Sequence, residues 1–551
     1  MNLDIRRCDR GHTADALVLI LSALHSKQQV QLQKIERYHL SSIGNESGSA
    51  AAERLLPAYR KIYEQIRDGI LDGQLPPGSR LPASRRLAAE AGVSRNTVLA
   101  AFEQLDAEGY LDKRRGSGTY VASSVVPQNL VTHHAPGIMS AKHVGGQDLS
   151  TRGASISNAA RMPLPTLTGV PARSTAFQIG LPGLDDFPAD LWARMVTSRL
   201  RRSSRDLMYY DNPAGYRPLR EAIASHIATS RGIRCSADQV VIVSGSQQAL
   251  EFCGRILLDP GDPVWLEDPC YLGAKTALIS SGARIVPVPV DSNGLNVAEG
   301  IEREPAAKLA VVTPSHQFPL GVTMALDRRL ALLDWAASAG SWIIEDDYDN
   351  EFHYNGRPLA ALQAIDPHRR VIYVGTFSKA MFPGMRLGYV ISPPDLVDGF
   401  VAAHLSSDMH TPLLDQAVLA DFMQDGHFAR HLRRMRTLYS ERQKVLIDEV
   451  RQHLDDFVRV EPSSNGLHLV GWLAEGLDEH SLSRRAAEVG IHLWPLSIHC
   501  IDTQLPPAVL LGYAGTRNSD TAAAVDALRR IISRQSRTAT AAPPTDRRPE
   551  Q

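Results

Sequence analysis

The sequence predicts an α/β protein in two folded parts, a small three-helix unit near the N-terminus and a large domain built on a mostly parallel sheet. Three observations carry this. Apolar residues recur at helical spacing between 57 and 108, and glycines follow the last turns. From Phe177 onward, helical patterns alternate with short apolar strands at 240–243, 309–312, 342–344 and 371–374, as crossover helices alternate with parallel strands. Between the two parts lies a Ser/Pro/Gly/His-rich stretch with little apolar periodicity.

The first helix is expected over 57–72, where Tyr59, Ile62, Tyr63, Ile66 and Ile70 share a face; Gly73 and Pro76-Pro77-Gly78 stop it. A second runs over 84–91, with Leu87 and Ala88 inward and Gly92 in the left-handed position after its last turn. Ser94 caps a third, 95–108, which buries Val98, Phe102 and Leu105. Two helices joined by a tight glycine-containing turn form a helix-turn-helix. The following strands, 110–113 and 119–121, flank Arg114, Arg115, Gly116, Ser117 and Gly118, a hairpin whose tip carries two arginines: a wing.

This chemistry suits duplex DNA, whose phosphates are met by Lys and Arg while the recognition helix brings its N-terminal side chains to base edges. Ser94, Arg95, Asn96 and Thr97 occupy that N-terminus. Arg85, Arg86, Arg95, Lys113, Arg114 and Arg115 are expected to share one face. Placement matters more than total charge, since 56–121 holds ten Lys/Arg against eight Asp/Glu. Without further information, a helix-turn-helix used for protein contacts has the same pattern. The runs Leu81-Pro-Ala-Ser-Arg-Arg-Leu-Ala, Gly92-Val-Ser-Arg-Asn-Thr-Val, Leu105-x-x-x-Gly-Tyr-Leu and Arg115-Gly-Ser-Gly-Thr-Tyr-Val resemble the winged helix of the GntR family. The family often has Ser at the position of Ala83; Ser84 is expected to take over its contact.

In the large domain, the strand at 240–243 runs into Ser244-Gly245-Ser246 and a helix starting near Gln247, where N–H groups and hydroxyls can cradle a phosphate. The strand at 342–344 ends in Glu345-Asp346-Asp347-Tyr348, where α/β proteins bind ligands. The strand at 371–374 leads into Gly375-Thr376-Phe377-Ser378-Lys379, and Arg386 follows. A lysine there can form a Schiff base and an arginine can grip a phosphate. Taken singly, each has an ordinary explanation: a turn, a capping Asp pair, a solvated lysine.

In this order they resemble the fold-type I aminotransferases, and more narrowly the MocR subfamily of GntR regulators. The resemblance extends through Tyr210-Asp-Asn-Pro-Ala-Gly-Tyr, Glu267-Asp-Pro-Cys-Tyr and Thr313-Pro-Ser-His-Gln-Phe-Pro-Leu-Gly. It implies a winged helix-turn-helix joined to an aminotransferase-like domain with a smaller C-terminal subdomain, a homodimer, and pyridoxal 5′-phosphate as cofactor. Carried over by position, Lys379 is the Schiff-base lysine, Asp346 pairs with the ring nitrogen, and Tyr348 bonds the ring hydroxyl. Ser246, Gln247, Thr376, Ser378 and Arg386 surround the phosphate, Tyr271 stacks on the ring, and Tyr210 reaches the partner subunit's site.

Two positions depart from the enzymes. Aminotransferases place Asn before a Pro-x-Gly turn; here Phe318 precedes Pro319-Leu320-Gly321, so His316 or Gln317 is expected to serve. Leu510 stands where many have a carboxylate-binding Arg, and nearby Arg517 reads as a helix-start charge. The implied function is therefore a transcription regulator of operator DNA. Its binding would be modulated by pyridoxal phosphate or by a small amine or amino acid that forms an external aldimine. A working aminotransferase carrying a DNA-binding module is the alternative, and the sequence leaves open whether the chain is an enzyme.

Composition sets the remaining bounds. The 551 residues exceed one small core, and 43% hydrophobic with 22% charged residues is ordinary for a globular protein. The net charge of −1 gives no overall pull toward nucleic acid. Cys8, Cys235, Cys253, Cys270 and Cys500 show no C-x-x-C spacing, which argues against a disulfide framework or a metal site and fits a cytoplasmic compartment. The apolar run 16–24 is too short to span a bilayer, and no membrane association is expected. The expected partition is a poorly ordered extension at 1–54, the DNA-binding unit at 55–122, a linker at 123–174, the large domain at 175–533 with its small subdomain from about 394, and a disordered tail at 534–551.

Overall fold

The computed structural model describes residues 57–114, 116–123, 149–160, 176–203, 205–354 and 360–540. The extension 1–54, Arg115, most of the expected linker and the end of the tail lie outside these residues. The chain divides into two compact units, Met1–Val144 and Gly145–Gln551.

In the first unit, α1 (Ala58–Leu71), α2 (Ser84–Ala91) and α3 (Arg95–Ala107) enclose a core that includes Ile62, Ile66, Ile70, Val98, Phe102 and Leu105. Gly92, at φ 65°, ends α2 in the left-handed conformation. Two residues later Ser94 caps α3, its Oγ accepting the Thr97 N–H at 3.2 Å. The strands β1 (Leu111–Arg114) and β2 (Gly118–Val121) form an antiparallel hairpin. At the start of α2, Ala83 makes no side-chain cap, and Ser84 does not replace it. Its Oγ instead receives Arg95 Nε at 3.3 Å.

The second unit is built on an eight-stranded sheet. Its strands are β3 (Val240–Val243), β4 (Pro263–Asp268), β5 (Arg284–Asp291), β6 (Gly294–Leu295), β7 (Leu309–Val312), β8 (Trp342–Asp346), β9 (Val371–Thr376) and β10 (Gly388–Ile391), in spatial order β3-β10-β9-β8-β7-β4-β5-β6. The run β9-β8-β7-β4-β5 is parallel. Helices cover both faces, so β3, β7 and β9 are buried along their whole length and read as continuous apolar runs. Strand β10 is antiparallel to both neighbours, which sets its first residue, Gly388, beside Val243 at the end of β3 and Thr376 at the end of β9. The turn after β3 and the β9–β10 loop, distant in sequence, thus open side by side at one end of the sheet.

A second, antiparallel sheet has the order β11-β12-β14-β13, from β11 (Val458–Val460), β12 (His468–Leu473), β13 (Trp494–Pro495) and β14 (Ala508–Gly512). The long helix His427–Leu454 packs on β11 and on the final helix Asn518–Thr540. Among the described residues no helix is long and apolar enough to cross a membrane.

Three expected boundaries shift. The helix Thr151–Ala160, inside the expected linker, packs on the helix Leu272–Ser281, and Arg152 Nε donates to the Ser280 carbonyl at 2.9 Å. It buries little apolar surface, so periodicity gave no sign of it. The helix Val397–Leu405 follows residue 394 yet packs back on the large sheet through Phe400 and Ala403. The small-sheet layer therefore starts with His427–Leu454. The last helix continues to Thr540, past the expected end at 533.

Candidate functional site

On the first unit, Ser94, Arg95 and Asn96 are exposed at the start of α3, Thr97 is half-buried beside them, and Arg85 is exposed on α2. Arg114 lies over the Tyr120 ring, 4.5 Å from its centroid, and Gly116 turns the wing at φ 79°. The expected single basic face does not hold for Lys113. Side chains alternate along a strand, so Lys113 shares the side of buried Leu111, where it pairs with Asp106 of α3 at 2.9 Å. Arg114 points the other way. Arg86 is paired with Glu90 within α2 at 2.8 Å. Sequence reasoning passed over Arg80, an exposed residue whose guanidinium packs against Gly118 beside the tip of the wing.

In the second unit, Lys379 sits on the one-turn helix Phe377–Ala380 directly after β9. Its Nζ donates to the Gly180 carbonyl at 2.8 Å. Burial pushes its ammonium below the ordinary range; Arg386 adds to this, while Asp349 and Asp346 oppose it. A lowered lysine offers more of the neutral, nucleophilic amine.

Asp346, the last residue of β8, is 4% exposed, and its Oδ1 has no hydrogen-bond partner among the described residues. Burial, then Asp347 and Asp349, raise its carboxyl to about 7. Asp347 faces away, into a buried ion pair with Arg231 at 2.7 Å that anchors this loop. Tyr348 places its hydroxyl 3.0 Å from His316 Nδ1. Tyr271 is half-buried, edge-on to Phe318 with centroids 5.9 Å apart. Burial and Asp346 raise its phenol to about 12 and Arg386 opposes this, so the ring lies within reach of both charges.

The third corner is the turn after β3. Gly245, at φ 104°, opens the helix Ser246–Leu257, and a Cβ there would stand 3.5 Å from the Arg386 guanidinium. Ser246 and Gln247 are half-buried on the first turn, and Gln247 Nε2 donates to the Gly273 carbonyl at 2.9 Å. Thr376 and Ser378 are buried beside them, Thr376 Oγ1 accepting the Ser378 N–H at 3.2 Å. Arg386 itself takes φ 50°, a conformation that costs a non-glycine residue about 1–3 kcal/mol and is found at ligand sites.

The structure thus gathers Lys379, Asp346, Tyr348, Tyr271, Ser246, Gln247, Thr376, Ser378, Arg386 and His316. Tyr210 is not among them and is 79% exposed. Gln317 cannot serve the pocket: its Nε2 donates to Glu267, Pro269 and Phe318, and its Oε1 accepts the Leu320 N–H. The sequence reading stopped at Tyr348 and missed Asp349, whose signal was a third aspartate in the same loop. It also missed Gly180, a glycine in a stretch without a motif.

An amine, an orphaned buried carboxyl, an aromatic face and an arginine above a helix N-terminus define a pyridoxal-phosphate-binding domain of aminotransferase fold. The donor set fits that cofactor: Asp346 Oδ1 lacks only an N–H, and the Ser244–Gln247 turn with Arg386 forms an anion cradle. Residues 58–121 match the family described as bacterial regulatory proteins, gntR family, and residues 185–528 match aminotransferase class I and II. The probable rhizopine catabolism regulatory protein MocR of Rhizobium meliloti is 41% identical over 84% of this chain and 90% of its own. The pyridoxine biosynthesis transcriptional regulator PdxR of Corynebacterium glutamicum is 30% identical over 84% and 92%. Among solved structures, the α-aminoadipate aminotransferase LysN of Thermus thermophilus superposes with a TM-score of 0.61 at 28% identity, covering 70% of this chain and 95% of that one. The chain belongs to the MocR subfamily of GntR-family transcription regulators. It is a DNA-binding regulator whose large domain takes pyridoxal 5′-phosphate.

Proposed function

We propose that the Lys379 pocket sets the affinity of the DNA-binding unit for its operator, in response to pyridoxal phosphate or an amino compound. One observation carries this. The carbonyl that holds Lys379 belongs to Gly180, and the segment before it is stitched to the small sheet. Phe177 bridges Gly512 of β14, and a Cβ on Gly512 would strike the Gln178 carbonyl. Whatever engages the Lys379 amine therefore removes a bond that ties this segment to the large sheet.

The cofactor, when bound, supplies an electrophilic aldehyde to amines and an electron-withdrawing ring. Lys379 offers the amine, Asp346 the acceptor for the ring N–H, Tyr348 the contact to the ring hydroxyl, and Tyr271 the ring face. Ser246, Gln247, Thr376, Ser378 and Arg386 would hold the phosphate. The Lys379 amine would bond the Gly180 carbonyl only when it is free of the cofactor. That gives two arrangements of the segment, and an effector that binds them unequally shifts their populations.

Leu510 is fully buried with Ile179, Leu272 and Trp494 in an apolar cluster. This cluster offers no cationic partner to an α-carboxylate, which favours regulation over rapid amino-acid transamination. Met208, Tyr209 and Tyr210 are exposed by 78%, 62% and 79%, an apolar run suited to a second copy of the chain. In such a homodimer Tyr210 would enter the partner subunit's pocket.

The test is direct. Protein loaded with pyridoxal phosphate should absorb in the visible, and borohydride should fix the cofactor on Lys379. A label on another lysine, or no band, overturns the assignment.

A further inference from the structure

An acid–imidazole pair lies behind Tyr348. His316, in the loop after β7, is 2% exposed; its Nδ1 is 3.0 Å from the Tyr348 hydroxyl and 2.9 Å from Asp349 Oδ2. Its other edge is wedged against backbone. A Cβ on Gly466 would stand 2.6 Å from Nε2, and one on Gly321 3.1 Å. The ring is fixed, and Nε2 has no hydrogen-bond partner among the described residues.

The proton on this ring can be placed. A buried N–H without a partner is rarer and costlier than a bare lone pair. The neutral tautomer consistent with the surroundings has its proton on Nδ1, donated to Asp349, and its lone pair on Nε2. The Tyr348 hydroxyl then has no imidazole lone pair to donate to. Its phenol is pushed well above the ordinary range by burial, then by Asp349 and Asp346, and by the hydrogen bond it gives Asp349, so it remains a donor whose proton Asp349 competes for.

We propose that Asp349 and His316 are positioning residues for the cofactor: the His316 N–H occupies Asp349 and weakens its hold on the Tyr348 hydroxyl, which can then turn its proton to the cofactor's ring oxygen, and Asp349 stands as a second anion toward Lys379. The proposal rests on the reading of Lys379 as the cofactor's attachment point. It also moves His316 from a direct cofactor contact to a residue acting through Tyr348. The charged groups around the pair are Asp346 on β8, Glu267 on β4, and Lys379 and Arg386 from the loop between β9 and β10. Glu351, Tyr354 and Tyr513 also face Asp349. His468 on β12 lies beside the imidazole; its ring is 5.4 Å from that of His316, Nε2 donates to the Pro319 carbonyl at 2.9 Å, and burial pushes it down to about 4. It is therefore neutral near pH 7 and adds no competing charge.

The experiment titrates the visible absorbance of the full-length, cofactor-loaded protein with pH. Asp349→Asn removes an anion facing the protonated Lys379 linkage and should lower its titration midpoint by about one unit. His316→Leu removes the competing donor from Asp349, which then holds the Tyr348 hydroxyl fully and away from the ring oxygen; the midpoint should rise by about as much. His316→Asn, with an amide N–H in place of Nδ1–H, should return most of the shift. Opposite directions distinguish positioning from loosened packing, which would move both variants the same way. A wild-type band with both midpoints within about 0.3 unit of wild type, or both moved in one direction, overturns the proposal alone. If the leucine variant does not fold, an unshifted Asp349→Asn midpoint suffices to overturn it. No band in the wild type overturns the Lys379 reading and this proposal with it.

Discussion

Gly388→Ala tests the anion cradle through the backbone that supports it. Gly388 pairs with Val243 and Thr376, and its added Cβ would stand 2.9 Å from Gly245 Cα and 2.9 Å from the Gly375 carbonyl oxygen. Carbon atoms pack at about 3.5–4.0 Å, so Gly245 must retreat by roughly 0.6 Å or more. Gly245 opens the helix whose first turn carries Ser246 and Gln247, so the N–H groups aimed at the phosphate move with it. Forcing a methyl into a packed site costs about 1–3 kcal/mol. Expressed in this loop, that is a loss of about 5- to 150-fold in affinity for pyridoxal phosphate. The control is Gly384→Ala, whose Cβ meets nothing nearer than Phe382 at 3.9 Å. Cofactor binding is read by absorbance at equilibrium, and thermal melts without cofactor report any general loss of stability. Wild-type affinity in Gly388→Ala, or an equal loss in Gly384→Ala, refutes the placement of the phosphate at this turn.

Further predictions concern the DNA-binding unit and a buried histidine. Arg95→Ala should weaken operator binding by about 1–3 kcal/mol if it reads a base bidentately. Arg114→Ala should lower affinity for all sequences and reduce the salt slope by about 1, whereas Lys113→Ala, paired with Asp106, should leave the slope unchanged. Gel-shift titrations across salt concentrations check all three. His499 donates from Nδ1 to the Cys270 carbonyl at 3.0 Å, and burial pushes it down to about 4. The unfolded chain therefore binds its proton first, and the stability from neutral His499 is lost as pH falls from about 6.5 toward 4. His499→Asn keeps a donor and cannot charge, so wild type should lose about 1.3 kcal/mol relative to it between pH 7.5 and 5.5. Urea denaturation at the two values tests this; a pH-independent difference contradicts it.

The elements legible in the sequence were those with local causes. Ser94, Gly92 and the period of Val98, Phe102 and Leu105 specify α3 and the turn before it within a few residues. Lys379 and Asp346 were visible because each lies at the end of a short apolar strand, and Arg386 because it follows Lys379 closely in sequence. The rest depended on contacts between distant residues. Nothing near Gly180 says that its carbonyl meets Lys379, because that contact spans 199 positions. The histidine at 316 is visible, but its direction is set by Gly466 and Gly321, whose missing side chains make the slot it fills. Lys113 and Arg114 are adjacent in sequence, and only strand alternation and Asp106 separate their faces. The helix Thr151–Ala160 escaped because Ser, Thr and Gly dilute its apolar pattern.

The central claim is that the pocket and the operator are energetically coupled through Lys379. It is tested most directly by measuring operator affinity at one fixed salt concentration, with and without pyridoxal phosphate, for wild type and Lys379→Ala. Coupling between sites is typically about 1–3 kcal/mol, so the cofactor should change wild-type operator affinity by about 5- to 150-fold. By reciprocity, operator DNA should change wild-type cofactor affinity by the same factor. Lys379→Ala should lose most of both effects while still binding DNA. Wild-type operator affinity that is indifferent to pyridoxal phosphate and to every amine added would contradict the account.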